Sequence, residues 1–176
     1  MNLRTVLAVI VLAASAFAQK QAEPGPDIKK LDYFVGTWTA EGTIPPGPWG
    51  AGGKYTITHK HEWMTGKFFL ISRTESNMPP DLGGHSESIT FTTYDTDKKM
   101  YTATGFDSGG GHGIDQGSLD GDTWTWTGSE KLPDGQVIQH RGTSKMLSPT
   151  SYMAKFEVSK DGTNWQVMME STVTKK

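Results

Sequence analysis

Two histidines, His59 and His61, stand two positions apart in the stretch GGKYTITHKHEWMTGKFF. A strand sends alternate side chains to the same face, so this spacing sets two imidazoles side by side. Neutral imidazole is a common ligand of zinc, copper and iron. A metal would need at least one more donor, and His140, His85 and Glu87 are the candidates the chain offers. The alternative is a pair that lines a partly polar cavity, hydrogen-bonded to tyrosine, threonine or water. Beside it, Arg73 and Arg141 carry planar guanidinium forks suited to a carboxylate, if either points inward; a surface or rim position is the default for at least one.

Other chemistry finds little footing. The chain has no cysteine, no Gly-x-Ser-x-Gly elbow and no His-Glu-x-x-His helix motif. The glycine run DSGGGHG lacks the Lys-Ser/Thr and helix start that let such a loop bind phosphate, and it reads as a hairpin end. DTDKKM opens like a calcium loop, but Met100 occupies the position where that loop turns on glycine. GKYTITHKH matches the opening Gly-x5-His-x-His of the cupin metal motif. The glutamate that motif requires next is missing, and His140 in PDGQVIQH is displaced from the second cupin signature.

The elements that must position these residues follow from periodicity. Leu31, Phe34 and Val35 fall on one apolar face of a short helix, which Asp27 is placed to cap and which stops at Gly36. Past Gly36, segments rich in Thr, Tyr, Trp, Val and Ile alternate with Gly-, Pro- and Asp-rich turns, giving about ten strands. One strand places Tyr55, Ile57, His59, His61 and Trp63 on one face, with Lys54, Thr56, Thr58, Lys60 and Glu62 on the wet one. Trp124 and Trp126 likewise share a face. So many antiparallel strands left open would expose reactive edges. The expected fold is therefore all-β, a closed antiparallel up-and-down barrel able to hold a small ligand. Trp49, on the PPGPWG loop, is a candidate lid.

Composition and the chain's start bound the setting. Met1–Arg4 followed by TVLAVIVLAASAFA and Ala16-Phe17-Ala18 has the layout of a signal peptide over 1–18, cleaved before Gln19. The apolar run is shorter than the ~20 residues needed to span a bilayer, so no stable membrane anchor is expected, and the destination is periplasmic or extracellular. Residues 19–30 read as a flexible leader and 31–176 as a single domain, stabilised by its core without disulfides. Without Arg4, 16 basic residues face 19 acidic ones. No basic stripe points to nucleic acid.

LDYFVGTWTAEG, from Leu31 to Gly42, resembles the entry of lipocalin and calycin barrels, where a short helix leads into Gly-x-Trp; here these are Gly36 and Trp38. In those barrels the tryptophan packs across the closed end. With WMTGKFFLISRTES, YDTDKKMYTATGFDS and LDGDTWTWTG following in order, the chain is similar to the bacterial exported family catalogued as domain of unknown function 1579, over roughly Leu31 to Lys175. The resemblance implies the barrel and no activity. Nitrobindin, a haem barrel, is a more distant likeness; its C-terminal histidine has no counterpart in NWQVMMESTVTKK, and no cofactor is carried over.

The expected function is a lipocalin-like barrel holding a small, partly apolar ligand of unknown identity. Its site is expected along Tyr55, Ile57, His59, His61 and Trp63, near Trp124, Trp126 and His140, with no catalytic residue assigned. A metal-dependent, cupin-like enzyme using His59 and His61, or an interaction module of the cell envelope, are the alternatives. Oligomeric state is not legible.

Overall fold

A computed structural model describes residues 23–47, 50–131 and 135–176. The expected signal peptide and Trp49 lie outside the described residues. Helix α1 (Pro26–Lys29) runs directly into a 3-10 turn (Lys30–Phe34), so helical structure starts within the segment read as leader. Asp27 is not its cap. Gly25 holds that position without a side-chain bond, and Pro26, with its φ preset, opens the helix. Asp27 sits in the first turn and pairs with Lys30 at 2.7 Å.

Ten strands follow: β1 (Gly36–Ile44), β2 (Gly53–Trp63), β3 (Leu70–Asn77), β4 (His85–Asp95), β5 (Met100–Asp107), β6 (His112–Asp120), β7 (Thr123–Lys131), β8 (Val137–Ser148), β9 (Ser151–Ser159) and β10 (Gln166–Lys175). Each pairs antiparallel with its neighbours in sequence, and β1 closes on β10. The expected up-and-down barrel is what forms.

Register carries one face around the wall. Trp38 lies opposite His59, His59 opposite Thr74, Thr74 opposite Ser88, and Ser88 opposite Asp107. Because direct partners point to the same side of a sheet, all of these face the lumen. The pairing is incomplete at two seams. β6 and β7 pair only from Asp120–Thr123 up to Gln116–Thr127, although both strands continue to His112 and Lys131. β1 and β10 pair only at Trp38–Lys175 and Thr39–Thr174. Both seams part toward the end away from the helix, so the wall is tightest where the helix sits.

Much of the core lies at that end. Leu31, Phe34, Trp38, Tyr101, Trp124, Tyr152 and Val173 are buried together. Trp38 is wholly buried, and its indole N–H donates to the Phe34 carbonyl at 2.6 Å. The hydroxyl of Tyr33 reaches the carbonyls of Ser148 and Ser151, and that of Tyr101 donates to the Asp27 carbonyl. The helical segment is thus bolted across the barrel's lower end. Gly36 makes the turn from plug to wall at φ +119°, a conformation other residues rarely adopt, and a Cβ there would run into the Lys175 side chain. Trp38→Ala removes a fully buried indole and its bond to the plug. It should destabilise the protein by about 3–5 kcal/mol, measured as a fall in the urea midpoint.

Candidate functional site

The lumen above this floor is built mainly from small and polar side chains. β3 and β4 contribute Ser72, Thr74, Ser88 and Thr90 from their inward positions. Ala103, Gly105 and Gly113 contribute little bulk from β5 and β6. Two hollows result. An inner one of about 230 Å3 lies against β1, β2 and β7–β10, bounded by Tyr55, Ile57, His59, Trp126, Phe156 and Met169 among others. A wider one of about 680 Å3 lies against β4–β8, where the β6–β7 seam parts, and includes Asp107, His112, Asp115, Glu130, Lys131 and His140.

The residues expected at the site therefore separate into three places. Tyr55, Ile57, His59 and Trp126 come together around the inner hollow. Trp63 and Trp124 belong to the floor. The Trp63 indole donates to Asp32 of the plug at 2.7 Å, and Trp124 is wholly buried against Phe34 and Tyr101. His61 lies between these levels, 5.7 Å from His59 and 6.0 Å from Phe34 by ring centroids. His140 lines the outer hollow instead. It stacks on Phe156 and pairs with Asp115 at 2.9 Å.

The histidine pair is stacked, with 19° between ring planes. Each Nδ1 meets a hydroxyl on β3: His59 with Thr74 at 2.9 Å, His61 with Ser72 at 2.6 Å. These contacts follow from the β2–β3 register, which sets each histidine opposite its hydroxyl. Burial pushes the His59 pKa down to about 4, and burial with the neighbouring His59 pushes His61 down to about 3. Both rings are neutral at pH 7. The Nε2 of His61 is buried and has no partner among the described residues, and the same is true of the Tyr55 hydroxyl and the Trp124 indole N–H.

Among the described residues no cluster of three histidine, cysteine or carboxylate side chains forms. His140 sits on the other hollow, and His85 is an exposed residue bonded to Asn77. Neither arginine enters the lumen. Arg73 lies outside near Glu62, and Arg141 is held outside by Glu157 at 2.9 Å while covering Trp165.

Asp115 belongs to no motif of the sequence. Its signal is parity: Gly113, Asp115 and Gly117 alternate on β6, and a lone carboxylate between two glycines on an inward face has room to reach across the wall. The Trp126 ring lies over Gly117, where a Cβ would collide with it. The Asp115 hydrogen bond, opposed by burial and aided by the charges of Asp115 and Glu130, raises the His140 pKa.

The fold and lumen define the class, a ten-stranded, closed antiparallel barrel with a helical plug and a hollow interior. The chain belongs to the family described as protein of unknown function DUF1579, whose model matches residues 23–175. No curated protein matches it. Among solved structures it resembles the crystal structure of Rv2717c from M. tuberculosis, with a TM-score of 0.59 over 88% of this chain and 99% of that one. At 12% identity that likeness speaks to the fold alone.

The signs of the histidine shifts predict acid sensitivity. A histidine whose folded pKa is depressed binds its proton more readily when unfolded, so stability falls as pH drops below the unfolded value near 6.5 toward the folded one. His140 acts oppositely: its contribution is full below that value and is lost as pH rises through its raised pKa. With two against one, unfolding free energy should drop on the order of 3 kcal/mol from pH 7 to pH 5. The double variant His59→Gln/His61→Gln should flatten most of that slope in urea titrations at the two pH values. An unchanged slope would show that the pair is not buried as described.

Proposed function

We propose that this protein is an exported carrier or sensor barrel that holds one small, partly apolar molecule in its inner hollow. Export rests on the charged start, apolar run and small-residue cleavage pattern of residues 1–18. The observation that carries the ligand reading is the inner hollow itself. Barrels of this size can be filled solidly by side chains, yet this one combines aromatic walls at Tyr55, Trp126 and Phe156 with unfilled space of about 230 Å3. An apolar cavity of ~150 Å3 already accepts benzene, so the space suits a compact organic molecule. Apolar walls with a few polar groups are the usual make-up of a small-molecule site.

Gly142 offers a clean test. A Cβ there would meet nothing closer than the Trp126 Cβ at 4.0 Å, so a side chain can be started from this wall of the hollow. Gly142→Leu should leave the fold intact by circular dichroism and remove any small molecule that native mass spectrometry finds on the wild-type protein. The same molecule on both proteins at equal occupancy would place it outside the lumen and defeat the reading.

A further inference from the structure

The outside of the barrel is not uniform. Direct strand partners share a face of the sheet, so register also fixes which side chains point away from the lumen. Along β1 and β2 every outward position is polar, as Thr39, Glu41, Thr56 and Thr58 illustrate. Across β3–β6 the pattern changes. Ile71 stands opposite Phe91, Ile89 stands opposite Phe106, and Phe91 and Ile114 flank Thr104. Their chain neighbours Ser72, Thr90, Gly105 and Gly113 face the lumen, so these five apolar side chains face out. Phe106 is 49% exposed and Ile114 63% exposed. Contiguous apolar surface of this kind marks an interaction site.

The charged edge of the stripe says what it meets. On β2, Lys60 and Glu62 hold successive outward positions. Lys60 is level with Arg73 and Ile89, and Glu62 is level with Ile71 and Phe91. Two adjacent levels thus carry apolar side chains at the centre and opposite charges at the β2 edge, which makes the face complementary to itself. A two-fold axis lying in the contact plane, across the strands and midway between the levels, sets Phe91 against the partner's Ile89. The same axis sets Lys60 against the partner's Glu62, and symmetry repeats both contacts. Within one copy Glu62 holds Lys60 at 3.2 Å and Arg73 at 3.7 Å, all three exposed. Exposed pairs of this sort contribute little, so exchanging them across an interface costs little. Five strands ~4.8 Å apart and about four outward levels ~6.8 Å apart give a face on the order of 650 Å2 per copy. That sits at the small end of specific interfaces.

We propose that the outer wall of β3–β6 is the interface of a two-fold symmetric homodimer. Ile71, Ile89, Phe91, Phe106 and Ile114 form its centre, and reciprocal Lys60–Glu62 pairs line its β2 edge. The dimer does not rest on the ligand reading above.

Sedimentation equilibrium over roughly 1–100 μM, the range a contact of this size calls for, tests it. Wild type should pass from monomer to dimer. Phe91→Glu should raise the dissociation constant at least ~10-fold by burying an unpaired carboxylate, with circular dichroism checking that the barrel is intact. Lys60→Glu and Glu62→Lys should each weaken self-association roughly fivefold at low salt, because each sets like charges face to face. Mixed in equal amounts, those two variants should pair with each other about as tightly as wild type pairs with itself. That rescue separates a lost contact from a lost fold. A wild type that stays monomeric throughout would overturn the proposal, as would a dimer indifferent to Phe91→Glu or charge variants that fail to rescue each other. A monomer that instead floats with phosphatidylcholine vesicles, and stops doing so as Phe91→Glu, would give this wall to a lipid surface and overturn it too.

Discussion

The hydrogen bond from the Trp38 indole to the Phe34 carbonyl, 2.6 Å long and wholly out of water, is the contact on which the architecture turns. It ties the helical plug to the first strand at the point where β1 and β10 still pair. Away from the plug those strands part, and so do β6 and β7. The aromatic floor of Phe34, Trp38, Trp124 and Tyr152 gathers the large side chains at one end. With so much burial concentrated there, the β3–β6 side of the lumen is free to be lined by serine, threonine, alanine and glycine. A hollow barrel without disulfides needs such a division, since burial is what offsets the entropy of ordering the chain.

Within the lumen, polar groups are arranged by register. His59 and His61 meet Thr74 and Ser72 because a strand pair sets them directly opposite. These bonds satisfy one nitrogen of each ring, while burial keeps the pair neutral. The His140–Asp115 pair occupies the opposite situation, in an open hollow where the ion pair is partly hydrated. The two histidine sites thus differ in how much water they keep.

Much of this was legible from two-residue periodicity. The β2 strand runs without a bulge from Tyr55 to Trp63, so alternation alone assigned its inward face, and Gly36 and Trp38 marked the entry. What parity does not carry is height along the barrel and which strands converge. Trp63 and Trp124 share the inward face with the cavity residues, yet the plug fills the space beside them. His140 is inward as well, but the meeting with Asp115 depends on how β6, β7 and β8 lie side by side, a non-local matter. Asp27, a good capping residue, does not cap the helix because Pro26, one position before it, opens the helix first with its fixed φ.

The central claim is that the inner hollow is a binding site and not merely a packing defect. Diffraction from crystals equilibrated with naphthol tests it most directly. The account predicts ordered density inside the barrel, its ring between the side chains of Tyr55, Trp126 and Phe156. An empty or collapsed inner hollow, with naphthol bound only on the outer wall, would contradict it.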